Sequence, residues 1–196
     1  MSAHRGARSA QGTPASDAPP HRRVLDYWRR AGERGQWFSK DPAFDRDFHD
    51  RFLALHLAAS RRELDDWAAT PQGALALLIL LDQFPRNAFR GSAHMYATDG
   101  LARHFARLAL AAGHMDRVEH ALRLFFCLPF AHAESPDDQA LSVMLNARLG
   151  PSWQAHAEGH RDIVRRFGRF PHRNAMLGRD PTPDEAMFLR SGGFSG

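Results

Sequence analysis

The chain has one cysteine, one lysine and two tyrosines among its 196 residues. A single thiol excludes a disulfide framework. Cys127 stands inside the apolar run Leu124-Phe125-Phe126-Cys127-Leu128, where a small core residue in a reducing compartment is expected rather than a reactive nucleophile. With Lys40 as the sole lysine, all other members of the 26 basic side chains are arginines, so the isoelectric point near 10.1 reflects charges that persist at high pH. Long apolar runs are missing as well: the longest, residues 74–81, is far too short to cross a bilayer. Lys40 follows Ser39 with no glycine-rich approach, which excludes a phosphate-binding loop, and there is no G-x-G-x-x-G dinucleotide fingerprint. Gly193-Phe194-Ser195-Gly196 sits at the extreme end of the chain and is no nucleophile elbow. No segment alternates with period two, so strands are not expected.

The basic excess is concentrated at the start. Residues 1–23 hold four arginines (Arg5, Arg8, Arg22, Arg23) against Asp17, which leaves 22 basic and 21 acidic residues beyond Arg23. The body therefore lacks the broad positive face of a nucleic-acid binder. Residues 1–23 are rich in Ala, Ser, Pro and Arg and have no large apolar side chain after Met1, so they are expected to form a disordered basic tail and do not resemble a secretory signal. Residues 24–196 are expected to form one domain, in a protein that is cytoplasmic and has neither nucleic-acid nor membrane partners.

Helix punctuation recurs through that domain. Residues 24–34 hold Val24, Leu25, Tyr27 and Trp28, enough for a short first helix. Asp41-Pro42 joins an N-cap to a proline in the first turn, and Phe44, Phe48, Phe52 and Leu55 follow at helical spacing, extended by Leu64 and Trp67 after a bend near Ala58. Thr70-Pro71 repeats the device before the all-apolar 74–81, which continues to Phe84 until Pro85 stops it. Thr98-Asp99 opens a helix with Leu101, Phe105, Leu108 and Ala112 on its inner face and Gly113 as its stop; another is expected over residues 116–128, ending before Pro129. Ser135-Pro136 begins a helix with Leu141, Leu145 and Leu149 inward, ended by Gly150. Trp153, Ala157, His160, Ile163, Val164 and Phe167 trace a long face closed by Gly168, and Thr182 with Glu185 has capping-box form before Met187-Phe188-Leu189. Seven or eight helices with short links predict an all-α fold of packed antiparallel pairs.

Two stretches rhyme: LDQFPRNAFRG at 81–91 and GRFPHRNAMLGR at 168–179. Each couples a buried Phe to a helix-breaking Pro, then places Arg-Asn where the chain turns away, with Gly91 or Gly178 easing the turn. Two readings stand. Arg86 and Arg173 are clamps that tie helix ends to neighbours, with Asp82 four residues before Arg86 as its partner; or both corners face one pocket and the two guanidinium groups grip an anion.

The segments LDQFPRNAFRG, LPFAHAES and HRDIVRRFGRFPHRNAMLGR, in that order, resemble the bacterial domain-of-unknown-function family 924 over residues 24–189. The resemblance implies a tetratricopeptide-like all-helical fold, and it marks Asp82, Gln83, Phe84, Pro85, Arg86, Asn87, Pro129, Phe130, His132, Glu134, His160, Arg166, Phe167, Gly168, Phe170, Pro171, His172, Arg173 and Asn174. Ala131 and Ala133 depart from the family pattern, which commonly has a bulkier apolar residue and a Ser there.

The chemistry expected is anion binding without a cofactor. The site comprises Asp82, Arg86, Asn87, His132, Glu134, His160, Arg166, His172, Arg173 and Asn174. In it Arg86 and Arg173 pair with an anionic small molecule or carboxylate-bearing peptide, Asn87 and Asn174 hold the turns, and the three histidines donate or relay protons. His156 and His160, four apart on one helix face, could chelate a metal, but a histidine there is more often a hydrogen-bonded core residue and none is assigned. Two alternatives stay open: a helical protein–protein interaction module, and a hydrolase-type enzyme in which His132, His160 and His172 act as acid and base with Asp82 or Glu134 as orienter.

Overall fold

Proline sets the start of six helices in this chain. The computed structural model describes residues 18–194, and in it α1 (Pro20–Glu33), α2 (Pro42–Ser60), α3 (Pro71–Leu78), α7 (Pro136–Ala147), α8 (Pro151–Phe167) and α9 (Pro183–Arg190) all begin on a proline, where the missing amide hydrogen has no intrahelical role. Side-chain caps complete four of these starts. Asp41 accepts from the amides of Ala43 and Phe44 at 2.9 and 3.3 Å, Thr70 from Gly73 at 3.1 Å, and Ser135 from Asp138 at 3.5 Å. Thr182 and Glu185 form the full reciprocal box. Between them lie α4 (Phe84–Ala88), α5 (Asp99–Ala111) and α6 (Leu124–Ala131), with short 3-10 turns in the links. The described residues are all-helical, with no strand. None of their helices is long and apolar enough to cross a membrane.

Helix α3 is the axle of the molecule. Residues 74–81 are apolar on every side and fully enclosed, with α1, α5 and α6 packed around them. The aromatic stripe of α2 meets Trp28 of α1, Phe84 and Phe125 in one cluster; Trp28–Phe48, Phe48–Phe84 and Trp28–Phe125 ring centres lie 5.3, 5.2 and 5.3 Å apart. Cys127 is buried in the same core, its thiol pushed up to about 12 by burial. Helices α6, α7 and α8 follow as successive neighbours along one side.

Four local expectations are corrected. The first helix begins at Pro20, so Pro20–Arg23 belong to α1, while residues 1–17 of the expected tail lie outside the described residues. Residues 116–128 do not form one helix: two 3-10 turns, Met115–Arg117 and His120–Leu122, precede α6, which runs through Pro129 to Ala131. Leu108 of α5 is 48% exposed, and the inner face is instead Phe105 with Ala102, Ala106 and Ala109, three small residues that let α5 approach α3 closely. On α7 the enclosed stripe is largely polar (Asp138, Gln139, Ser142, Asn146, with Leu145), because Gln139 caps the end of α6 by donating to the carbonyls of Ala131 and Ala133 at 2.8 and 2.7 Å.

Candidate functional site

The site grows from a helix that a proline fails to stop. Residues 71–88 form one continuous rod, in which α3 passes through a π-helical turn, Ile79–Gln83, into α4. In that turn the amide of Phe84 reaches back to the carbonyl of Ile79, five residues away, and Pro85 enters a widened helix instead of ending it. The carbonyl of Leu81, which Pro85 has no hydrogen to serve, accepts from Thr98 Oγ1 at 2.5 Å. Its neighbours take side-chain donors too: Leu80 accepts from His56 Nδ1 at 2.9 Å and Asp82 from Arg86 Nη1 at 2.7 Å. Arg86 and Asn87 thus stand on a helix, not at a chain turn, and His56 and Thr98 are supporting residues that no local pattern announced.

The widened turn aims Asp82 inward. Its carboxylate accepts from His132 Nδ1 at 2.8 Å and Gln83 Nε2 at 2.6 Å, and lies 3.1 Å from Arg86 Nη1. Burial alone would raise this carboxyl, but the Arg86 and His132 charges outweigh burial and hold it well below the usual carboxylate range. Because ionised Asp82 can only accept, His132 carries its proton on Nδ1 when neutral and turns Nε2 toward the cavity that it lines. Arg86 also grips Asp99, at the start of α5, with two parallel hydrogen bonds of 2.9 and 3.0 Å.

Arg173 reaches the same place from the far end of the chain. It closes a 3-10 turn, Pro171–Arg173, and its guanidinium lies between the rings of Tyr96 and Phe170, 4.6 Å from each centre. Its nearest carboxylate oxygen, on Asp99, is 3.6 Å away, and its Nε is enclosed with no partner among the described residues. Arg173 is only 7% exposed. Burial first, and the Arg86 charge second, pull its acidity toward the neutral form, as expected of a cation with too little compensating charge. The two rhyming corners therefore differ. Arg86 is a clamp that also lines the cavity, whereas Arg173 is a stacked cation with no clamp to make.

Both arginines border one cavity of about 430 Å³ between α4, α6, α8 and the Phe170 turn. Four imidazoles share its wall: His156, and the expected site histidines His132, His160 and His172. Burial, with Arg86 adding to it, lowers His132; burial and neighbouring positive groups take His160 to about 3 and His172 to about 4. His160 and His172 are therefore neutral near pH 7. Phe194 stands edge-on to His160 and His172, with ring centres at 4.8 and 5.1 Å, so the Gly/Ser-rich end of the chain contributes a wall. The remainder of the lining is chiefly apolar and includes Trp37, Phe38, Leu124, Leu128 and Trp153.

Of the ten residues expected at the site, Arg86, Asn87, His132, His160, His172 and Arg173 line this cavity, and Asp82 backs it. Three belong elsewhere. Glu134 accepts from the Phe170 amide at 2.9 Å and from Arg179 at 2.8 Å, which holds the Arg173 turn from behind. Arg166 stacks over Phe167 and Phe188 at 4.7 and 5.9 Å, on the outer side of α8. Asn174 has right-handed backbone angles of −56° and −50° and donates to Glu185 at 3.2 Å, so it tethers α9 and does not shape a left-handed turn. Asn87 is likewise a tether, donating to Asp45 of α2 at 2.8 Å. Gly91 and Gly178 do take the positive φ, 82° and 63°, that their turns require. His156 and His160 both border the cavity, and among the described residues no group of three or more His, Cys, Asp or Glu side chains is arranged to hold a metal ion. Asp99, Tyr96 and Trp37 were missed, since each reaches the site only through packing between distant elements.

A family described as a bacterial protein of unknown function, DUF924, matches residues 24–193. The solved structure of a protein of unknown function from Agrobacterium tumefaciens is similar over 88% of this chain and 97% of its own, at 55% identity and a TM-score of 0.85. No protein of curated function matches the chain.

Proposed function

The chain belongs to the bacterial family of unknown function DUF924, and we propose that this member binds an anionic small molecule in the cavity between α4, α6 and α8. One observation carries the reading: Arg173 is almost fully enclosed, stacked between Tyr96 and Phe170, and left without a hydrogen-bonded carboxylate beside an open cavity. A buried cation costs several kcal/mol unless it is paired, so one whose carboxylate partner among the described residues is an Asp99 oxygen 3.6 Å away, shared with Arg86, favours a guest that brings further negative charge. The aromatic faces hold the guanidinium plane in place and leave its edge for bidentate contact with a carboxylate or similar group.

The imidazoles suit the same task. Neutral His160 and His172 add hydrogen-bond capacity without a fixed charge, and Lys40 lies at the border as a further cation. A volume of about 430 Å³ falls in the range of small-molecule sites, roughly 300–1,000 Å³, and supports a small guest over an extended peptide in a tetratricopeptide-like groove.

A thermal-shift titration with acetate, phosphate and larger carboxylates tests the proposal, with Arg173→Ala as the control. Stabilisation of the wild type that disappears in Arg173→Ala, with helical circular dichroism retained, is the expected result. Loss of helicity in that variant would make Arg173 a structural clamp. Equal stabilisation of both proteins would place the anion elsewhere.

A further inference from the structure

The cavity is two-ended, and that narrows the chemistry of its guest. Ring contacts along its wall fall into two groups. At one end Phe170, His160, His172 and Phe194 contact one another beside Arg173 and Tyr96. At the other, Phe38 lies 6.3 Å from Trp153 and 6.4 Å from Phe125, and Trp37 lies 5.0 Å from Phe125. Helix α8 runs between the ends: Trp153, His156, Ala157 and His160 all line the space. Trp153 and His160 are two turns apart, roughly 10 Å along an axis that rises about 1.5 Å per residue.

The polar end also limits the guest's charge. Arg86 is already committed to Asp99 through two hydrogen bonds and to Asp82 at 3.1 Å, so among the described residues Arg173 is the guanidinium there without a hydrogen-bonded carboxylate, with the Lys40 ammonium as a second cation at the border. Asp82 and Asp99 stand behind the pair and repel a second negative charge on any guest. At the apolar end Phe38 is 58% exposed, so a guest there would bury surface that water now covers.

Resting on the anion-binding reading, we infer that the guest is a monocarboxylic acid with an aromatic or medium-chain aliphatic body, its carboxylate on Arg173 and its body laid along α8 toward Trp37, Leu128 and Trp153. A carboxylate matches the guanidinium edge of Arg173, which no described residue hydrogen-bonds. A body of roughly 10 Å fills the distance between the two ring groups.

Isothermal titration of the wild-type chain with octanoate, 3-phenylpropionate, acetate and inorganic phosphate reads this directly. Octanoate and 3-phenylpropionate are expected to bind at least about tenfold more tightly than acetate, since each buried methylene adds about 0.8 kcal/mol, and phosphate is expected to bind no better than acetate. A Leu128→Trp variant, which extends a half-buried lining residue into the apolar end, should weaken the two larger acids about tenfold and leave acetate unchanged. Acetate or phosphate binding as tightly as octanoate, with Arg173→Ala abolishing it, would overturn the inferred class while the anion site stands. Octanoate binding that survives in Arg173→Ala would overturn the carboxylate assignment and the anion reading together, as would failure of all four probes to bind. Should Arg173→Ala fail to fold, the wild-type ligand series still decides the class of the guest.

Discussion

Asp82 and His132 meet at 2.8 Å, from the π-turn of one rod and the end of α6. The contact locks the imidazole with Nδ1 as donor and leaves Nε2 for the cavity. It also joins a structural irregularity to the cavity that Arg86 and Arg173 border: the turn that lets Pro85 pass is the turn that aims Asp82 inward. Four predictions follow from this coupling and from the elements around it.

Replacing Asp82 by Asn removes an ionised acceptor that serves His132, Gln83 and Arg86 at once. Breaking a buried ion pair from one side typically costs about 3–5 kcal/mol. Denaturant unfolding should show a loss of this order, and the His132 imidazole resonances should show a changed tautomer. A loss under about 1 kcal/mol would mean that Asp99 alone satisfies Arg86.

Thr98→Val should destabilise by about 1–3 kcal/mol although the shape of the side chain is kept, because the buried carbonyl of Leu81 would lose its donor at a place where Pro85 cannot substitute. Thr98→Ser keeps the hydroxyl and should remain close to wild type. Equal midpoints for the two variants in urea would show that the carbonyl does not depend on that hydrogen bond.

Stability should fall as the pH drops from about 6.5 toward 4, before most carboxylates titrate. His160 and His172 have folded values of about 3 and 4, below an unfolded value near 6.5, so the unfolded chain binds protons in this window and the folded chain does not. Full stability therefore lies above about pH 6.5 and is lost on acidification, by at most about 1.4 kcal/mol per pH unit for each imidazole. The slope should flatten in His160→Phe and His172→Phe variants. An unchanged slope in both would show that the two rings titrate as in the unfolded chain.

Gly73→Ala should be strongly destabilising for a reason unrelated to backbone freedom. A Cβ at position 73 would come 2.2 Å from the carbonyl oxygen of Trp67 and 2.9 Å from the capping hydroxyl of Thr70. Neither neighbour is the free end of a flexible side chain, so the start of α3 must shift, at a cost of about 1–3 kcal/mol or more. A melting temperature at or above that of the wild type would show that the 65–70 segment yields easily.

Much of the fold was legible because its signals are short-ranged. The proline starts, the caps at Asp41, Thr70, Ser135 and Thr182, and the glycine end of α8 at Gly168 each act within one helical turn. The convergence of Arg86 and Arg173 was legible only as one of two readings, since similar local wording produced a clamp in one corner and a stacked cation in the other. The polar inner face of α7 ran against its leucine spacing. Its glutamine serves carbonyls eight and six residues earlier, at and just beyond the end of another helix, and hydrophobic periodicity does not carry that information.

By itself the chain of residues determined an all-helical protein, where most of its helices begin, and a concentration of arginine, histidine and phenylalanine at a few corners. The tertiary structure decided whether Pro85 ended a helix, which arginine was left without a hydrogen-bonded carboxylate among the described residues, and that Phe194 closed a wall beside two imidazoles. The reason is one of range. A helix start is stabilised by groups within four positions, whereas the fate of a buried carbonyl or cation depends on Thr98, Asp99 or Tyr96, partners that packing alone brings within reach.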